Sequence, residues 1–229
     1  MMEKLADIFN NPEHAARYAE GPKRFVPGFD GLHRIMTQLL KETTPADGRI
    51  LVLGAGGGLE IRTLSQAMPD WRFCGIDPSG EMLAQAKVLL GEEAQKIDWI
   101  EGLIFDAPAE KFDAATCLLT LHFVPDDGAK LKTLKAVHAR LKPGAPFLAA
   151  HLAIDKDAPD ADLKFERYAR FSEGSGTDPE LAARARTQVK AMLQCVGPER
   201  DESLLREAGF QRIELVFAAL SWHGWIAYA

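Results

Sequence analysis

The chain has 229 residues, 47% hydrophobic and 26% charged, with a formal net charge of −6. That composition excludes a disordered chain, and without a block of lysine or arginine it argues against a dedicated binder of nucleic acid or of anionic membranes. A chain of this length can bury roughly 70% of the surface its unfolded form exposes, so a single domain over residues 1–229 needs no disulfide or metal to hold its core. Cys74, Cys117 and Cys195 are odd in number and far apart, without CxxC spacing, so neither a disulfide framework nor a metal site is expected. Met1 to Asn10 carries Glu3, Lys4 and Asp7 and lacks the apolar stretch of a signal peptide, and no segment approaches the ~20 apolar residues of a membrane span. The expectations are a cytoplasmic setting, no membrane partner and a small-molecule substrate.

Residues 1–45 read as a helical segment, a turn-rich joint at Gly21 to Gly31 and a second helix with Leu32, Ile35, Met36, Leu39 and Leu40 on one face. After Pro45 strands and helices alternate. Arg49 to Leu53 is a strand, Leu59 to Met68 a helix, Trp71 to Ile76 a strand ending at Asp77, and Ser79 to Leu90 a helix. Strands near Lys96 to Glu101 and at Ala114 to Leu119 follow, then a helix at Asp126 to Leu141 and a strand at Ala145 to Leu152. This alternation predicts right-handed crossovers and a mostly parallel sheet in an α/β three-layer fold. Residues 155–198 show no strand pattern and read as a helical insertion over the carboxyl edge of the sheet. A helix at Asp201 to Ala208 and strands at Phe210 to Ala219 and Trp222 to Tyr228, an antiparallel closing hairpin, complete the chain.

Gly54-Ala55-Gly56-Gly57-Gly58 follows directly on a predicted strand and opens a helix. Glycines there let the backbone turn tightly, leave no Cβ between chain and ligand, and present the first free N–H groups of the helix. The next strand ends at Asp77, twenty-one residues after Gly56, where a carboxylate can accept from the vicinal hydroxyls of a ribose. The dinucleotide fingerprint G-x-G-x-x-G would need a glycine where Leu59 stands, so the spacing suits one nucleoside with an amino-acid tail better than a dinucleotide. A tight strand-to-helix joint is the bland alternative, and the acid at the second strand's end weighs against it.

These residues, with Gly75-Ile-Asp-Pro-Ser-Gly-Glu-Met82, Phe112-Asp-Ala-Ala115, Leu119-Thr-Leu-His-Phe-Val124 and Leu141-Lys-Pro-Gly144, make the chain resemble the class I S-adenosylmethionine-dependent methyltransferases over essentially its whole length. The resemblance implies a Rossmann-like seven-stranded sheet in the order 3-2-1-4-5-7-6 with strand 7 antiparallel. It also implies S-adenosyl-L-methionine as cofactor and S-adenosyl-L-homocysteine as product. Gly54, Ala55, Gly56 and Gly58 would line the methionine tail, Asp77 would hold the ribose, and Pro78, Ser79 and Met82 would flank the adenine. Gly102, Leu103 and Ile104 would cover its edge, and Leu118 to Thr120, with Leu118 and Thr120 as contacts, would border the sulfonium. A narrower likeness, in Arg24-Phe-Val-Pro-Gly-Phe29, the Thr-Leu-His-Phe stretch and Ala208-Gly-Phe-Gln, is to carboxy-S-adenosylmethionine synthases. Likeness to dimeric relatives implies a homodimer.

Three positions depart from the implied pattern. Val52 stands where the methyltransferases usually place an acid, Leu103 where an aspartate commonly meets the adenine amino group, and Leu204 where the synthases carry an arginine for the carboxylate of their modified cofactor, with Arg200 or Arg206 as substitutes one turn away. Plain methyl transfer to a small acceptor is therefore the expectation, with the synthase activity and a non-catalytic binding protein as alternatives. Methyl transfer from a sulfonium needs mainly orientation and sometimes a base. His122, after the fourth strand, is the expected base, and His151 the second candidate; a histidine hydrogen-bonded in a loop is the alternative for both. Residues 1–45 would form a lid bearing Tyr18, Arg24 and Phe29, and 155–198 would shape the acceptor pocket.

Overall fold

The computed structural model describes residues 21–229. A short helix α1 (Gly21–Phe25) leads through Gly28, at a φ of 73°, into α2 (Phe29–Thr43). The expected turn-rich joint is thus shorter than its glycines and prolines suggested. Strand β1 (Arg49–Leu53), α3 (Leu59–Ala67), β2 (Arg72–Asp77), α4 (Gly80–Leu90), β3 (Ile97–Glu101) and β4 (Ala114–Leu118) follow. Helix α5 (Ala129–His138) is shorter at both ends than expected, because Gly128 at a φ of 99° starts it. Then come β5 (Pro146–Leu152), α6 (Ala161–Gly174), α7 (Pro179–Met192), α8 (Pro198–Ala208), β6 (Gln211–Ala219) and β7 (Trp222–Tyr228). Helix α8 begins three residues earlier than expected, with Pro198 in its first turn, where a missing N–H costs nothing.

The seven strands form one sheet in the order β3-β2-β1-β4-β5-β7-β6, parallel except for β7, which runs antiparallel to both β5 and β6. Side-chain alternation builds the two outer layers. Leu51 and Leu53 face a core with Leu134, Val137, Leu204 and Leu205 of α5 and α8, whereas Ile50 and Val52 face Leu32, Met36 and Leu40 of α2 and Ile61 and Leu64 of α3. A third cluster beyond the end of β5 joins Val26, Phe29, Leu152, Ile154, Phe165, Leu193, Cys195 and Trp222, and so ties α6 and the segment after α7 to the sheet.

Residues 21–45, the described part of the expected lid, pack on the sheet face: His33 Nδ1 lies 3.0 Å from Thr63 Oγ1 and Phe29 is buried against His33. Tyr18 lies outside the described residues. Among the described residues no helix is long and apolar enough to cross a membrane. All three cysteines are buried free thiols.

Candidate functional site

The parallel order switches direction between β1 and β4, the place where open α/β sheets leave a crevice at the strands' carboxyl ends. Two backbone bonds fix the turn there, Gly54 N–H and Ala55 N–H both donating to the Ile76 carbonyl at 2.8 and 2.9 Å. Gly54 has a φ of 77°, and a Cβ on it would lie 1.9 Å from Thr120 Oγ1; a Cβ on Gly56 would lie 2.6 Å from Asp77 Oδ2. Any side chain at either place would fill the crevice or break the turn.

A cavity of about 520 Å³ opens at this switch point. Its wall includes Gly54, Gly56, Asp77, Pro78, Ser79, Met82, Gly102, Leu103, Ile104 and Thr120. Ten of the residues singled out by sequence therefore converge, from the carboxyl ends of four strands. Three others do not. Ala55 is buried, its Cβ close against Gly75; Gly58 is pressed on Ala86; and Leu118 points into the core while its neighbour Leu119 lines the cavity. Leu119 has a φ of 54°, unusual for a branched residue, and this local twist turns the wall by one position.

Asp77 is the central acid of the cavity. Its Oδ2 accepts from Gly56 N–H and its Oδ1 from Ser79 N–H, each at 2.9 Å, which locks the carboxylate across the glycine turn. Burial pushes its carboxyl up to about 6 despite those two bonds. An ionised carboxylate has about four acceptor positions, so two remain for a ligand. Ser79 Oγ in turn accepts from Met82 N–H at 3.2 Å and caps α4, holding Pro78 and Met82 against the cavity. Leu103 N–H is taken by Asp106 Oδ2 at 2.8 Å, so its amide is satisfied within its own turn.

The far wall consists of Leu119, which lies inside the expected 118–120 stretch, and of Leu53, Phe105, Phe123, Val124, Pro125, Ala129, Lys132 and Thr133, which the sequence reading missed. Most are apolar and lie in or beside loops, where no periodic pattern marks which way a side chain faces. Phe105, 55% exposed, was the nearest to a legible signal, a large apolar residue beside Ile104.

His122 requires a correction. It is buried and absent from the cavity wall; Nδ1 accepts from Leu152 N–H at 3.1 Å, and its ring packs on Phe123, Trp222 and His151. Burial first, then His151 and Lys130, hold its pKa well below the ordinary value, so the ring is neutral with one nitrogen already engaged. It stands behind the wall, packed on Phe123, with no part in the cavity lining. His151 is likewise buried, its Nε2 2.9 Å from Asp201 Oδ2, while Lys130 Nζ donates to the Gln194 carbonyl at 3.1 Å and lies 4.0 Å from Asp201 Oδ1. Among the described residues no histidine lines the cavity.

The alternative cations for a modified cofactor are also placed. Leu204 is fully buried in the core. Arg200 pairs with Asp126 and Glu207, and Arg206 with Glu202, on the protein's surface. The acids around the start of α6 are used within the fold: Asp155 Oδ1 accepts from Asp157 N–H, Asp160 pairs with Lys164, and Asp162 pairs with Lys190 of α7.

Residues 51–147 match the family described as "Methyltransferase domain". Similar curated proteins are the carboxy-S-adenosyl-L-methionine synthases of Campylobacter curvus, 26% identical over 85% of this chain and 82% of that protein, and of Chromohalobacter salexigens, 23% identical over 99% and 85%. Among solved structures, human N-acetylserotonin methyltransferase in complex with SAM superposes over 98% of this chain and 58% of its own, at 19% identity and a TM-score of 0.66. PigF with SAH superposes over 98% and 62%, at 15% identity and 0.66. The chain thus spans less than two thirds of either solved protein. With this sheet order and a methyltransferase domain recognisable in residues 51–147, the chain is a protein of the class I methyltransferase fold.

Proposed function

We propose that the cavity binds S-adenosyl-L-methionine and that the protein transfers its methyl group to a small-molecule acceptor, leaving S-adenosyl-L-homocysteine. The observation that carries the reading is the Asp77 carboxylate bound to Gly56 N–H at 2.9 Å, which brings an acceptor with spare capacity onto a turn stripped of side chains. Asp77 takes the ribose hydroxyls; Pro78, Met82, Leu103 and Ile104 supply an apolar slot for the adenine; Gly54, Gly56 and Thr120 face the amino-acid tail. The cofactor, when bound, supplies a methyl group already activated by the sulfonium charge. The chain's own part is to hold the acceptor in line and keep water away, through Leu119, Phe123 and the packed segments behind them. Among the described residues the cavity wall offers no histidine, which favours acceptors that need little deprotonation.

Residues 155–198 shape the acceptor side in this reading: Leu119 and Phe123 pack against the cluster that α6 and the segment after α7 help to form. A second reading, synthesis of a carboxylated S-adenosylmethionine, is favoured by the names of the relatives. It needs a cation for the added carboxylate, because a desolvated carboxylate without one is costly. Leu204 cannot supply it, and Arg200 and Arg206 are engaged elsewhere, so among the described residues the cation on the cavity wall that could serve this reading is Lys132. The deciding experiment is incubation with S-adenosylmethionine labelled in its methyl group and a pool of small metabolites, read by mass spectrometry. Label in an acceptor with equimolar S-adenosylhomocysteine supports methyl transfer; a carboxylated cofactor overturns it in favour of the synthase; no turnover and no binding leaves a scaffold protein.

A further inference from the structure

Among the described residues two charged side chains line the cavity, and they are held in opposite ways. Asp77 is fixed by two backbone amides. Lys132, exposed in the first turn of α5, has no hydrogen-bond or ion-pair partner for its side chain among the described residues. Positions 128, 129, 135 and 136, within helical reach of it, are Gly, Ala, Lys and Ala, so its own helix supplies no carboxylate. Elsewhere helical cations are paired: Lys164, Arg170, Arg184 and Arg206 each meet a carboxylate four residues before them. The acids nearest to Lys132 in sequence are taken, Asp126 by Arg200 and Asp127 by the Ala129 N–H.

The position is also unfavourable for a cation. A positive charge in a helix's first turn opposes the macrodipole, and α5 opens with Lys130 and Lys132 and no acid. Lys130 is compensated by the Gln194 carbonyl and by Asp201; Lys132 is not. Beside it Thr133, only 8% exposed, also lines the cavity, and its hydroxyl has no hydrogen-bond partner among the described residues. The amides of Ala129, Lys130 and Lys132 are used within the fold, so this turn offers a ligand an ammonium and a hydroxyl. From Thr120, which lies against Gly54, the wall runs through Phe123, Val124 and Pro125 to these two residues, and Phe105 stands on the turn that packs on α5. The two donors therefore lie along the wall beyond Thr120, among apolar residues that the cofactor reading leaves over.

We propose that Lys132 and Thr133 form an oxyanion subsite that selects the methyl acceptor, a small molecule with an apolar body and a carboxylate or phosphate group. The proposal rests on the methyl-transfer reading above. The apolar body packs on Phe105, Phe123 and Val124, and the acid group accepts from Lys132 Nζ and Thr133 Oγ1. That pairing offsets the charge at the start of α5 and gives the Thr133 hydroxyl its partner. An apolar surround strengthens it, because fewer waters and ions screen the two charges than in open solvent. The cofactor's own carboxylate is set at the glycine turn by that reading, near Gly54 and Thr120, and does not call on Lys132.

The test is ligand-observed NMR on the full chain saturated with S-adenosylhomocysteine, using benzoate and phenyl phosphate as acid probes and benzamide and phenol as their neutral counterparts, repeated on Lys132→Met, Lys132→Arg and Thr133→Val. One acid at least should bind about tenfold more tightly than its counterpart, benzoate if the subsite fits a carboxylate and phenyl phosphate if it fits a phosphate. Lys132→Met, which keeps the apolar stem, should remove about fivefold or more of that preference, Lys132→Arg should restore it, and Thr133→Val should weaken it by about threefold. Acid and neutral probes bound alike, neither acid bound, or a preference that survives in Lys132→Met overturns the subsite while S-adenosylhomocysteine still binds. A tenfold loss of S-adenosylhomocysteine in Lys132→Met, or of carboxylated S-adenosylmethionine titrated separately, gives the cation to the cofactor and overturns the acceptor assignment. Failure of the unmodified protein to bind S-adenosylhomocysteine overturns the nucleoside reading, and the acceptor role with it, whatever the probes do.

Discussion

The two ends of the central strands handle buried polarity in opposite ways. At the β1 and β2 ends, the Asp77 carboxylate keeps acceptor positions that the fold does not use up after its bonds to Gly56 and Ser79. At the β4 and β5 ends, His122, Asp201 and Lys130 are engaged with His151 Nε2 and with backbone groups, linking β5, α5, α8 and the Gln194 segment, and the one atom of the four side chains left over, His151 Nδ1, is buried away from the cavity. Residue type alone does not separate a site from a brace; capacity left over on the cavity wall does.

The difference can be broken at either end. Asp201→Ala would strand the buried Lys130 and His151 and should cost the fold about 3–5 kcal/mol, measured by urea unfolding, while nucleoside affinity in the protein that remains folded changes by less than about threefold. A large loss of affinity with intact stability would make the second region part of the site. Gly54→Ala should do the reverse. Its Cβ would collide with Thr120 at a positive φ, so a stability cost of about 1–3 kcal/mol should accompany a loss of S-adenosylhomocysteine binding of about a hundredfold or more. Unchanged binding would show that the turn does not meet the ligand.

His122→Ala sharpens the comparison further. With no face toward the cavity, it should lower stability by about 1–3 kcal/mol through lost packing and an orphaned Leu152 N–H, and leave turnover at saturating substrate within about fivefold. A fall of a thousandfold would restore it as the base. The smallest effect is set by pH. Because Asp77 titrates near 6 and a ribose favours its ionised form, affinity should be flat above pH 7 and fall as pH drops below 6, by at most about tenfold per unit. Asp77→Asn should bind weakly at every pH without that slope, and a slope preserved in the variant would assign the titration elsewhere.

Much of this was legible in the sequence, for identifiable reasons. Strand alternation and the glycine-turn to Asp77 spacing are local patterns, and the α/β layering and the meeting of that turn with Asp77 follow from them, whereas the sheet order came from the resemblance to the methyltransferases. What escaped was side-chain direction outside regular elements. Leu118 and Leu119 are neighbours of the same type, and only the left-handed backbone at Leu119 decides which one faces the cavity. His122 follows a strand at the carboxyl edge, as a base would, yet the amide of Leu152, thirty residues on, claims its nitrogen.

The most direct check is a titration of S-adenosylhomocysteine into the unmodified protein and into Asp77→Ala, followed by heat and by thermal shift. The account predicts saturable binding by the unmodified chain and a loss of about 1.5–3 kcal/mol in the variant, from charge-assisted bonds to the ribose. No heat and no shift at millimolar ligand, or an identical dissociation constant in both proteins, would contradict it.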